Sequence, residues 1–199
     1  MTLSRRAFIG LLVEGAAVLG GLRLISIVPP AARADLVRPP GAVEEAYFNL
    51  MCIRCGICFE ACPSKTIMLA GFEKGAASVN TPMINPLIGP CEYLRGRCED
   101  AMRCAEACPT GALQNVDKAQ VKLGTAKLNQ ELCLAYNGRE CLVCSEMCPL
   151  PDAITVTEDQ KPVFHSTICR GCGACVNACP ANPRALTLLS EGERRARWP

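Results

Sequence analysis

Sixteen of the 199 residues are cysteine, and their spacing is the chain's chemistry. Two runs, CIRCGICFEACP (Cys52, Cys55, Cys58, Cys62) and CRGCGACVNACP (Cys169, Cys172, Cys175, Cys179), share the pattern C-x2-C-x2-C-x3-C-P. Between them lie CEYLRGRCEDAMRCAEACP (Cys91, Cys98, Cys104, Cys108) and CLAYNGRECLVCSEMCP (Cys133, Cys141, Cys144, Cys148), looser at the front but ending in the same C-x3-C-P. The sixteen thus divide into four groups of four with none left over. Three cysteines two residues apart sit on one tight loop, so their thiolates can converge on three corners of an iron–sulfur cubane. The fourth, three residues on, starts a short helix that faces away and serves the partner cluster of a pair. Gly56, Gly171 and Gly173 let the backbone approach, and the proline after each fourth cysteine turns the chain onward.

Disulfides would suit an exported chain and zinc would suit isolated C-x2-C pairs, but neither explains two perfect four-cysteine runs or the repeated C-P ending. The expectation is four 4Fe–4S clusters. The group from Cys91 to Cys108 is the loosest. Its competing reading is a Cys91–Cys98 disulfide beside two idle thiols, but Cys108 is needed to complete a neighbour. Its extra residues, EYLRGR, are polar enough to bulge to the surface at little cost.

Spacing does not fix which groups pair. The two regular runs match each other and the two irregular ones are neighbours, which favours nesting. The expected sets are then Cys52/Cys55/Cys58/Cys179, Cys169/Cys172/Cys175/Cys62, Cys91/Cys98/Cys104/Cys148 and Cys133/Cys141/Cys144/Cys108. Sequential pairing, first with second and third with fourth, is the alternative.

Such sites need little scaffold. Aromatics are only 5%, so the cysteines must organise much of the interior. The expected fold is α+β and loop-rich: two ferredoxin-like two-cluster modules of small βαβ-type units packed round clusters. An outer module would use residues 51–72 and 160–190, and an inner one 86–158. AITVTEDQKPVFHSTIC reads as strand, turn and strand, and TIMLA, GALQNV and RALTLL read as short strands. His165 belongs to that hairpin rather than to a ligand set, because the cysteines fill every position. Lys65, beside Cys62, reads as a solvated lysine.

Residues 1–34 carry four Arg and one Glu, a net of +3, and the remainder has 17 basic against 18 acidic residues. No polybasic face is indicated and nucleic-acid binding is excluded. SRRAFIG, an apolar stretch and Ala32-Arg33-Ala34 resemble a twin-arginine export signal with a cleavage site, the alternative being a retained membrane anchor. That export route carries proteins already folded and loaded, which reconciles clusters with a location outside the cytoplasm. Residues 35–50, with Pro39-Pro40-Gly41, read as an extended linker or wrapping arm. Residues 191–199, with Arg194, Arg195, Arg197 and Trp198, read as a charged tail, either disordered or docking elsewhere.

SRRAFIG, VRPPGAVEEAYF leading into CIRCGICFEACP, and CLAYNGRECLVCSEMCP together resemble the MauM/NapG ferredoxin-type family over most of the chain. The group from Cys91 departs from that family's more compact C-x2-C-x4-C-x3-C-P. The resemblance implies a periplasmic electron-transfer subunit of a respiratory chain. It would pass single electrons between a membrane quinol-oxidising or other membrane redox subunit and a periplasmic oxidoreductase, a molybdenum enzyme among the candidates. A maturation factor for such an enzyme is the alternative. No nucleophile–base pair or organic-cofactor loop is visible, so neither catalysis of its own nor a small-molecule substrate is expected.

Overall fold

A computed structural model describes residues 36–98 and 101–197. The expected signal or anchor, residues 1–34, lies outside the described residues. Among the described residues, no helix is long and apolar enough to cross a membrane.

The elements are short, as a core of small side chains and cysteines dictates. They run α1 (Glu45–Met51), α2 (Ile57–Ala61), β1 (Ile67–Leu69), β2 (Pro82–Ile84), α3 (Glu92–Arg95), α4 (Arg103–Glu106), β3 (Thr125–Leu128), α5 (Val143–Glu146), β4 (Ile154–Val156), β5 (Pro162–Phe164), α6 (Ala174–Ala178) and β6 (Leu186–Leu189). Helices of four or five residues are too short to stand alone. They hold because buried cysteines and the packing of one helix on another fix them: α2 packs on α4, and α5 on α6.

The strands form three antiparallel pairs, β1–β2, β3–β6 and β4–β5. The β4–β5 hairpin, with Ile154 opposite Phe164, and the strands within TIMLA and RALTLL are those expected. GALQNV forms no strand: only Leu113 bridges, to Ala42. β2 and β3 were not anticipated, because each is short and takes its conformation from a distant partner. β3 pairs with β6 across some sixty residues of sequence, Leu128 opposite Leu186. β6 alternates, with Leu186 and Leu188 buried and Thr187 exposed, the period expected of a half-covered strand.

The N-terminal linker is not a free tether. Residues 36–43 are buried throughout. The Val43 N–H donates to Ala112 O (3.1 Å), the Gln114 N–H to Gly41 O (2.8 Å), and the Ala196 N–H to Ala42 O (2.9 Å). A Cβ on Gly41 (φ +74°) would fall 1.9 Å from Gln114 O, so the close approach requires glycine. Arg38 is buried; its guanidinium clasps Glu45 in a fork, donates to Thr81 Oγ1 (2.6 Å) and Pro82 O (2.9 Å), and lies over the Phe48 ring. One arginine thereby joins the arm, α1 and β2.

The tail also differs from expectation. Arg195 is mostly buried and bridges Glu45 (3.4 Å) and Glu193 (2.8 Å), and Ala196 pairs beside Val43. Two carboxylates already packed against the arm outcompete solvent for that arginine. Trp198 lies outside the described residues.

Candidate cluster sites

All sixteen cysteines are free thiols, so the Cys91–Cys98 disulfide is not formed. Three cavities are walled by them. Cys52, Cys55 and Cys58 line the first together with Cys108. Cys91, Cys98 and Cys104 line the second together with Cys62. Cys169, Cys172 and Cys175 line another together with Cys148. The remaining four also assemble: Cys144 is influenced by Cys133 and Cys141, and Cys133 lies in a small apolar cluster against which Cys179 packs.

The expected nesting is therefore corrected. The structure does not bring Cys179 to Cys52/Cys55/Cys58, Cys62 to Cys169/Cys172/Cys175, Cys148 to Cys91/Cys98/Cys104 or Cys108 to Cys133/Cys141/Cys144. Groups exchange their fourth cysteine with the next group along the chain. The cause is local. Cys58 and Cys62 are one helical turn apart, roughly 6 Å along the axis, so α2 spans two adjacent cavities. Its packing partner is α4, which supplies Cys104 and Cys108. The pair α5 and α6 repeats the arrangement. The modules are consecutive rather than outer and inner, because matching spacing creates no contact between distant runs.

Residues 92–97 bulge outward only in part, with Gly96 and Arg97 exposed. Glu92–Arg95 form α3, closed by Gly96 in the left-handed conformation, and Glu92 and Tyr93 are buried in the wall of the second cavity. The Tyr93 hydroxyl donates to Val116 O (2.9 Å). Glu92 lies 3.6 Å from both Arg95 and Arg97.

The thiols sit in apolar surroundings. Burial, chiefly, pushes Cys58, Cys144 and Cys172 up to about 11 and Cys91 to about 12, and raises Cys104 and Cys175 further, with neighbouring cysteines adding to it. Cys108 goes the other way. Burial alone would raise it, but the Leu113 N–H and the Thr110 hydroxyl and N–H bond its sulfur and bring it below the usual thiol value. Walls this dry disfavour bare thiolates, which suits ligands whose charge is spread over a metal–sulfide core. Four thiols round each cavity are the donor set a 4Fe–4S cluster takes. Among the described residues, no three His, Cys, Asp or Glu are grouped to hold a single metal ion.

Neighbouring sets lie within electrostatic or hydrogen-bonding reach of each other. Cys104 feels Cys58 of the first set. The Cys91 N–H donates to Cys172 O (2.8 Å), across the two modules. Cys175 feels Cys144. The four sets form one row, in the order of the Cys52, Cys91, Cys169 and Cys133 groups.

The other singled-out residues are structural. His165 Nε2 lies 2.9 Å from Thr155 Oγ1 across the hairpin, and Lys65 pairs with Glu60 at 3.0 Å. A groove of about 930 Å³ runs between β3 and β5, with Lys122, Lys127 and Tyr136 in its wall and no cysteine. Sequence reading missed Arg38, Glu45 and Glu92, and it put Arg195 in a loose tail. Their roles arise from contacts between distant segments, and only the position of Arg38 in RPPGA carried a hint.

Fold and site define a ferredoxin-type iron–sulfur electron-transfer protein. Family models agree: residues 51–112 match a 4Fe–4S dicluster domain and residues 162–184 a 4Fe–4S binding domain. The dicluster match spans the first two groups as one unit. The chain is 38% identical, over 92% of its length and 88% of the other, to the methylamine utilization ferredoxin-type protein MauM of Paracoccus denitrificans. A MauM of Methylorubrum extorquens is also 38% identical, over 94% of this chain and 89% of that one. This chain is also 36% identical, over 93% of its length and 85% of the other, to the ferredoxin-type protein NapG of Escherichia coli. The chain belongs to the MauM/NapG family of ferredoxin-type proteins.

Proposed function

We infer that the chain is a four-cluster electron wire outside the cytoplasm, linking a membrane quinol-oxidising or other membrane redox subunit to a periplasmic oxidoreductase. The observation that carries this is the row of four cysteine sets. Cys52/Cys55/Cys58/Cys108, Cys91/Cys98/Cys104/Cys62, Cys169/Cys172/Cys175/Cys148 and Cys133/Cys141/Cys144/Cys179 would each hold one 4Fe–4S cluster. A bound cluster supplies one-electron chemistry and needs no proton. The chain's residues do the rest. The cysteines fix spacing, the Cys91–Cys172 backbone bond holds the two modules in register, and the apolar walls exclude water and set potentials through burial and hydrogen bonds. SRRAFIG and the A-x-A pattern support export by the twin-arginine route. The MauM and NapG relatives, ferredoxin-type by name, support a carrier rather than an enzyme.

Iron and acid-labile sulfide on anaerobically purified protein test the reading, at about 16 of each per chain for four clusters. About 12 of each would break the wire. Replacing Arg5 and Arg6 by Lys should leave the loaded protein in the cytoplasmic fraction; unchanged export would refute the location.

A further inference from the structure

The two ends of the row differ in what surrounds them. At the Cys133 end the exposed neighbours are mostly charged or polar, Glu131, Arg139, Glu140 and Glu146 among them, with Met147 the exposed large apolar side chain. At the Cys52 end four large apolar side chains are exposed, beside Arg54, Glu44 and Glu60. Tyr47 is 46% exposed, Leu50 83%, Ile53 63% and Ile57 47%. Tyr47 and Leu50 share the outer face of α1, while Ile53 and Ile57 flank Cys55 on the cluster loop. Among the sixteen cysteines, all described, Cys55 is the exposed one. The loop is held in place rather than free: Arg54 donates to Val79 O (3.0 Å) and Ala77 O (3.2 Å).

We propose that Tyr47, Leu50, Ile53 and Ile57 form the docking face for a one-electron redox protein that presents an uncharged, apolar rim around its own cofactor. The inference rests on the wire reading above and says where an electron crosses. An electron passes between proteins fastest where a cluster comes nearest the surface, and Cys55 marks that place. The area argues for a transient encounter rather than a second copy of this chain. Four side chains expose a few hundred Å², the size of a functional patch on a monomer and well below the roughly 800 Å² per partner of a stable interface. Weak redox encounters sit at that low end. Arg54, the charged residue on this loop, is turned onto Val79 O and Ala77 O, so recognition is chiefly by apolar burial and resists salt.

The probe is a small c-type cytochrome whose haem edge is ringed by apolar residues, used in two forms. A zinc-substituted form reports the dissociation constant by titration. The ferric form reports electron transfer: protein reduced and freed of excess dithionite gives up one electron, and the ferric haem becomes ferrous. Leu50→Glu and Tyr47→Glu should each weaken binding and slow transfer at least tenfold, with iron content unchanged and little effect of salt. Val156→Glu, an exposed apolar position on the β4–β5 hairpin, should change neither. Unchanged binding in both patch variants would overturn the proposal. So would wild-type adsorption to phosphatidylcholine vesicles that Leu50→Glu abolishes, or a dimer that Leu50→Glu dissociates. Failure of the wire reading is separately visible: Cys55→Ala would then cost no iron relative to wild type.

Discussion

The pairing of cysteine groups can be tested by counting iron in double variants. Cys108 lines one cavity with Cys52, Cys55 and Cys58. Nesting would instead put it with Cys133, Cys141 and Cys144. Each alanine replacement removes one of four thiolates from a cubane, and each lost cubane removes four iron atoms. Cys108→Ala or Cys133→Ala alone should lower iron from about 16 to about 12 per chain. Their combination is decisive, because independent sites add and shared sites do not. Sequential sets put the two cysteines on different clusters, so the double should hold about 8 iron; nesting would leave about 12. The reciprocal double, Cys52→Ala with Cys108→Ala, should remain at about 12, where nesting requires about 8. Iron and sulfide analysis on anaerobic protein, with EPR on the reduced samples, reads both. About 12 iron in the Cys108/Cys133 double, or about 8 in the Cys52/Cys108 double, would refute the assignment.

Further outcomes follow from single side chains. Arg38→Ala removes the buried half of the Arg38–Glu45 pair together with three hydrogen bonds, to Thr81 Oγ1, Pro82 O and Ser78 Oγ. It should cost about 3 kcal/mol in denaturant unfolding, the low end for a broken buried pair because Glu45 is partly exposed. Burial alone would raise the Glu45 carboxyl, but hydrogen bonds and charge from Arg38, with Arg195, hold it below its ordinary 4.5. Its stabilisation is therefore present above the ordinary value and is lost as pH falls through the folded one; stability measured against pH should fall less steeply in acid for Glu45→Gln than for wild type. A Cβ at Gly171 (φ +74°) would lie 2.6 Å from Gly124 N. Gly171→Ala should then cost clearly more than the ~1–2 kcal/mol of left-handed strain alone, in thermal unfolding of the loaded protein. Tyr93→Phe should cost about 1 kcal/mol through loss of the bond to Val116 O.

The sequence alone determined the chemistry. Four C-x3-C-P endings and two unbroken C-x2-C-x2-C-x3-C runs identify iron–sulfur ligation because the spacing is a local property of one loop and one helical turn. The β4–β5 hairpin was legible for the same reason, its strands being separated only by their own turn. What the sequence left open lay between distant segments. Which groups exchange a cysteine depends on α2 meeting α4 and α5 meeting α6, and packing partners leave no mark in spacing. The same holds for β3 beside β6, and for residues 92–97, whose polar composition suggested solvent but whose Glu92 and Tyr93 complete a cavity wall. The arm and the tail read as loose because each is short and poor in periodicity. They are ordered because Arg38, Glu45 and Arg195 meet there, an encounter of three positions spread from one end of the described chain to the other. Local geometry fixed what each cysteine could bind, and only tertiary contact decided with which others it binds and in what order the sites stand.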